Sequence, residues 1–96
     1  MDKPPQSYIE ASRDAALVVE VDRWGSVIRI QLEPEVTRSW DAATLADHIV
    51  RLYRLAALRG RCDQRERINE AGADLAPTLA YPSRYEIEEY RRTIDF

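Results

Sequence analysis

From Leu17 to Leu32, apolar and polar side chains alternate on either side of Trp24-Gly25, with the period of two that belongs to β-strands. With Trp24 and Gly25 as the central pair of a tight turn, Gly25 supplying a positive φ at little steric cost, Arg23 pairs with Ser26 and the register is fixed outward. Val21 then faces Ile28, Val19 faces Ile30 and Leu17 faces Leu32, all on one side of the ribbon. The other side carries Val18 opposite Gln31 and Glu20 opposite Arg29. A slip of one residue would turn Glu20 and Arg29 inward, so the pattern selects this register.

A two-stranded ribbon is not stable by itself, and its apolar side needs cover. After Pro34 and the polar turn at 35–39 the period becomes helical. Leu45, Ile49, Leu52 and Ala56 recur at three- and four-residue spacing, flanked by Ala46, Val50, Tyr53 and Ala57. Ser39 or Asp41 can cap the start, and Asp47 with Arg51 makes a favourable i,i+4 pair. Gly60 offers one place for the helix to stop; the run 61–69 holds no proline, so Gly72 offers another. The apolar stripe is too wide for one ribbon. Leu55 and Leu58 lie round its side, where another part of the chain or a second copy must cover them.

The predicted organisation is a flexible leader at 1–14 containing Pro4-Pro5, a hairpin–helix core at 15–72, and a connector with a C-terminal arm at 73–96. Ser83 followed by Glu86 is a capping box, so the arm is read as a helix with Ile87, Tyr90 and Ile94 on one face, a strand over 84–88 being the competitor. Tyr81, Tyr85, Tyr90 and Phe96 concentrate aromatic surface in this arm, which suits docking onto the chain's own core or onto a partner. The fold class is α+β: an antiparallel β-hairpin packed on one long amphipathic helix, with a C-terminal aromatic arm, completed by dimerisation because so small a core is marginal. Leu52, Leu55 and Leu58 with Tyr81, Tyr85 and Tyr90 form the expected dimer or partner interface.

Charge and chemistry narrow the options. A net charge of −3 argues against a protein devoted to nucleic acid. Yet Arg51, Arg54, Arg59, Arg61, Arg65 and Arg67 stand against only Asp63 and Glu66 in the same stretch. They are read first as a solvated helix face and second as a nucleic-acid contact. The single Cys62 excludes an intramolecular disulfide and fits a reducing compartment. No apolar run is long enough to span a membrane and no secretory leader pattern is present, so the expected location is cytoplasmic. Catalysis needs converging groups, and His48 is the only histidine, at the edge of the apolar stripe. Cys62 has arginines on both sides that would lower its pKa, but no histidine nearby in sequence. Three glycines in all leave no phosphate-cradling loop. The chain is read as a non-enzyme without a catalytic, metal or cofactor site.

The order of a glycine-turned hairpin, a Glu33-Pro34-Glu35 linker and a helix containing Leu45-Ala46-Asp47-x-Ile49 resembles the small YbaB/EbfC-like proteins. That resemblance implies a dimer placing a sheet against long helices, and DNA binding with little sequence preference. The chain is also similar to the EspH-like proteins associated with mycobacterial ESX (type VII) secretion. The matching pieces are the second strand ending at Leu32, the run Thr37 to Ser39, Thr44-Leu45-Ala46-Asp47-His48-Ile49, Leu55-Ala56, and Arg84-Tyr85-Glu86-Ile87-Glu88. This second resemblance implies an actinobacterial homodimer that contacts a secretion-system protein as adaptor, chaperone or regulator. The first implies a nucleoid-associated protein whose two protomers join Arg51 to Arg67 into one DNA-binding surface.

Overall fold

The computed structural model describes residues 5–96, without the side chains of Val36 and Thr37; the first four positions of the expected leader lie outside the described residues. Strands β1 (Ser7–Ala11), β2 (Leu17–Asp22) and β3 (Val27–Leu32) form one antiparallel sheet in that order. A short helix α1 (Pro34–Thr37), the long helix α2 (Ala42–Glu70) and a C-terminal helix α3 (Arg84–Arg91) follow. The α+β class and the long helix agree with the sequence pattern. The third strand does not, because it comes from the stretch expected as a leader. In β1, Tyr8 and Glu10 point inward and Ile9 outward, so a carboxylate occupies a core position and hides the apolar alternation.

The hairpin loop is one residue longer than predicted. The Gly25 N–H donates to the Asp22 carbonyl and the Asp22 N–H to the Ser26 carbonyl, leaving Arg23, Trp24 and Gly25 as a three-residue loop. Gly25 adopts φ +89°, and the Asp22 carboxylate accepts from the N–H groups of Trp24 and Ser26. Val21 therefore lies opposite Val27, and a bulge at Ile28 absorbs the extra residue. Beyond it the predicted pairs hold: Glu20 with Arg29, Val19 with Ile30, Val18 with Gln31 and Leu17 with Leu32.

Helix α2 lies across β1 and β2. Leu17, Val19 and Val21 are fully covered by it and join Tyr8, Leu52 and Ala56 in the main core. Strand β3 lies outside this cover and is exposed at every residue, so Ile28, Ile30 and Leu32, expected in the core, stand at the surface. Adding β1 moves the centre of the sheet to β2, and a helix about 10 Å wide covers roughly two strands spaced about 4.8 Å apart.

Helix α2 starts at Asp41, whose side chain accepts the Thr44 N–H at 2.7 Å, and runs through Gly60. A Cβ at Gly60 would stand 3.2 Å from a ring carbon of Tyr8, so the missing side chain is what lets β1 pack against the helix. The helix ends where Gly72 takes φ +117°. There the Ala73 N–H reaches back to the Ile68 carbonyl and the Gly72 N–H to the Asn69 carbonyl, satisfying the last turn. Leu55, Cys62 and Ile87 form a second cluster with Leu58, Tyr90 and Ile94 packed on it. Of the two covers expected for the helix side, the chain's own α3 provides one. Its start carries the predicted capping box, Ser83 and Glu86 each bonding the other's backbone.

Candidate functional site

The polar groups of the interior hold the elements in place. Glu10, almost fully buried on β1, receives Arg59 of α2 at 2.5 Å and Arg91 of α3 at 2.8 Å. One carboxylate thereby joins the sheet, the long helix and the arm. Alongside it, the Tyr8 hydroxyl donates to Asp63 at 2.7 Å, and Arg84 bridges Asp63 and Glu66. Burial, and after it the acceptor Asp63, push the Tyr8 hydroxyl up to about 12. The Cys62 thiol is pushed up by burial and then by Glu66 beside it. The neighbouring arginines do not lower it as expected, because burial removes the solvation a thiolate needs.

The six residues expected at an interface separate into two groups. Leu52 and Leu55 are interior, and Leu58 and Tyr90 pack against the second cluster, with the Tyr90 hydroxyl on the Arg51 carbonyl. Tyr81 is half-buried under the Arg61 guanidinium, while Tyr85 is exposed. The arm thus docks its aromatic side on its own core. Phe96 stacks on His48 at 3.6 Å between ring centroids, and Trp40 meets the same imidazole edge-on.

The arginine cluster also divides. Arg51 bonds the Thr93 carbonyl and lies over Phe96, Arg59 holds Glu10, and Arg65 donates to the Leu75 carbonyl. Helical spacing puts Arg54, Arg61 and Arg65 on the side of α2 away from the sheet and Arg67 on the other. They do not make one continuous face.

What the fold leaves open is apolar. On the core side of β3, Val27, Ile30 and Leu32 extend the covered row of β2 into solvent. Val50 and Tyr53 on the adjoining flank of α2 are exposed too, and the Tyr53 hydroxyl bonds the Gly25 carbonyl, which places this flank beside the start of β3. An exposed apolar side of β3 thus adjoins an exposed flank of α2. Compared with known proteins, the chain matches no family model, no curated protein and no solved structure. Its possible roles therefore rest on its own surfaces. Among the described residues no three of His, Cys, Asp and Glu converge as a metal site, and no helix is long and apolar enough to cross a membrane. Sequence reasoning missed the openness of β3 because alternation marks which side faces the core and not how far the cover extends.

Proposed function

We propose that this chain is a non-enzymatic interaction protein that works as a cytoplasmic homodimer, with the open side of β3 and the Val50–Tyr53 flank of α2 as its contact surface. The observation that carries the reading is an edge strand left bare while its core-side residues are apolar: Val27, Ile30 and Leu32 are 47, 44 and 44% exposed. Such strands pair with another chain unless proline, charge or a covering element blunts them. Strand β3 has no proline, and its one charged residue, Arg29, is held by Glu20.

Its backbone suits pairing as well. The Glu33 N–H donates to the Ala16 carbonyl at 2.7 Å, so Ala16 and Glu33 are a hydrogen-bonded pair. By the alternation of an antiparallel ladder, Ile30 and Leu32 then direct their N–H and C=O groups away from β2. A second copy running antiparallel about Ile30 sets Ile28 against Leu32 and Arg29 against Gln31, a self-complementary match. From the EspH-like resemblance of its motifs, the dimer serves type VII secretion as adaptor, chaperone or regulator.

Light scattering on the purified protein is expected to give the mass of a dimer. Ile30→Asp with Leu32→Asp is expected to give a monomer of unchanged helical circular dichroism, since both side chains are at the surface of the single chain. A monomeric wild type would overturn the reading.

A further inference from the structure

The hairpin loop overhangs the second half of α2, and the space between them is a basic hollow that neither the core nor the proposed dimer uses. Two adjoining cavities of ≈250 and ≈200 Å³ lie there. Arg23, Trp24 and Gln64 line both; Arg67 closes the first, and Arg61 with Tyr81 the second. No aspartate or glutamate among the described residues lines either cavity. Among the described residues, Arg23, Arg61 and Arg67 take no part in any carboxylate ion pair. In a chain of net charge −3, the unneutralised guanidiniums of Arg23 and Arg67 in one cavity, with Arg61 in the adjoining one, focus a local positive potential.

The same hollow presents an aromatic face. Trp24 is 74% exposed, and the Arg23 guanidinium lies over the indole, 4.3 Å from its centroid. The backbone that carries the indole is not a loose tip, because the Asp22 carboxylate accepts from the Trp24 backbone N–H at 2.9 Å and the loop is closed by hydrogen bonds across it. An exposed indole on an ordered loop, beside arginines without a carboxylate partner, suits a planar ring that carries negative charge. Gln64, lining both cavities, offers an amide donor and acceptor to the edge of such a ring.

We propose that this hollow binds a nucleotide unit, its base stacked on Trp24 and its phosphate held by Arg23 and Arg67 in the first of the two cavities. The unit comes from a single-stranded nucleic acid or from a free nucleotide. A duplex does not qualify, because its bases are already stacked on one another and it offers the hollow only phosphates.

The test is titration of the full chain with a labelled oligothymidine strand, with the corresponding duplex, and with AMP and ATP, over a series of salt concentrations. The single strand is expected to bind, with log K falling against log salt at a slope of about −0.7 for the one phosphate held. Trp24→Ala is expected to weaken it at least about fivefold, the smaller value of a base–aromatic stack. Arg23→Glu and Arg67→Glu are expected to weaken it further. All three side chains lie at the surface, so the variants keep the fold, and unchanged circular dichroism checks this. AMP or ATP binding with the same Trp24 dependence assigns the free nucleotide as the source, and binding of the strand alone assigns the single strand. Failure of strand and nucleotides alike to bind at low salt overturns the proposal. So does binding that survives Trp24→Ala and Arg67→Glu, or equal binding of the duplex.

Discussion

A methyl group added at Gly60 would lie 3.2 Å from the ring of Tyr8, whose hydroxyl is tied to Asp63 and cannot swing aside freely. In an open helix Gly→Ala gains about 1 kcal/mol, but here the contact opposes that gain. Gly60→Ala is expected to lower stability by roughly 1 kcal/mol, seen as a lower urea midpoint at unchanged slope. Tyr8 itself gives a pH signature. Its folded pKa is raised from 10.0 to about 12, so the neutral phenol is the form the fold favours. That stabilisation is complete below about pH 10 and is lost as pH rises towards about 12. Tyr8→Phe is expected to flatten the alkaline decline in an unfolding series; an identical decline would remove Tyr8 as its source. The sequence marks Gly60 as a helix residue or a helix end with equal ease, since the ring that decides between them lies on a strand far away in the chain. Cys62 was legible as a lone thiol, but its burial comes from Leu55 and Ile87 around it. Labelling by a disulfide reagent is expected to wait for unfolding of the chain and to speed up sharply in denaturant.

Among the elements, those with local signals were readable and those defined by their neighbours were not. The capping box at Ser83 and Glu86 announces α3 within four residues, and Ser83→Ala is expected to destabilise by about 1 kcal/mol. The turn glycine and the alternation around it place β2 and β3 and four of their pairs correctly. The exact loop depended on the Asp22 side chain, which takes two backbone N–H groups and favours three residues over two. Strand β1 escaped notice because Glu10 points inward, an arrangement that makes sense only with Arg59 and Arg91 in place. Glu10→Gln keeps the shape and removes the charge. It is expected to lower stability by about 1–2 kcal/mol, less than for a fully buried pair because both guanidiniums still reach water. Proteolysis between α2 and α3 under native conditions is expected to quicken in this variant, as the arm loosens first.

The whole molecule is elongated, 49 × 24 × 18 Å, because α2 at about 1.5 Å per residue far outruns a sheet of five- and six-residue strands. Its overhanging end is used by the connector, where the Leu75 carbonyl accepts from Arg65 and Asn69. Stability should decline at both ends of the pH scale. Glu20 is held below its ordinary 4.5 by Ser7 and Arg29, and Asp41 below 3.8 by the Thr44 N–H at the head of α2. Their contribution is present above those ordinary values and is lost as pH falls through the lower folded ones. In acid titrations Asp41→Asn is expected to shift the decline towards smaller pH dependence while keeping the cap.

The carboxylate of Glu10 has a further consequence in time. Its two cations stand 49 and 81 residues downstream, and the Arg13 N–H is met by the Phe96 carbonyl at 2.6 Å. A ribosome adding about 5–20 residues each second completes β1 seconds before it makes Arg91. During that interval the nascent chain carries an unmatched charge at a core position, and Leu55 and Cys62 have no cover from α3. Native closure therefore waits until Arg91 and Phe96 are made, and a chain stalled short of them stays sticky along two of its sides, the flank awaiting α3 and the bare edge of β3.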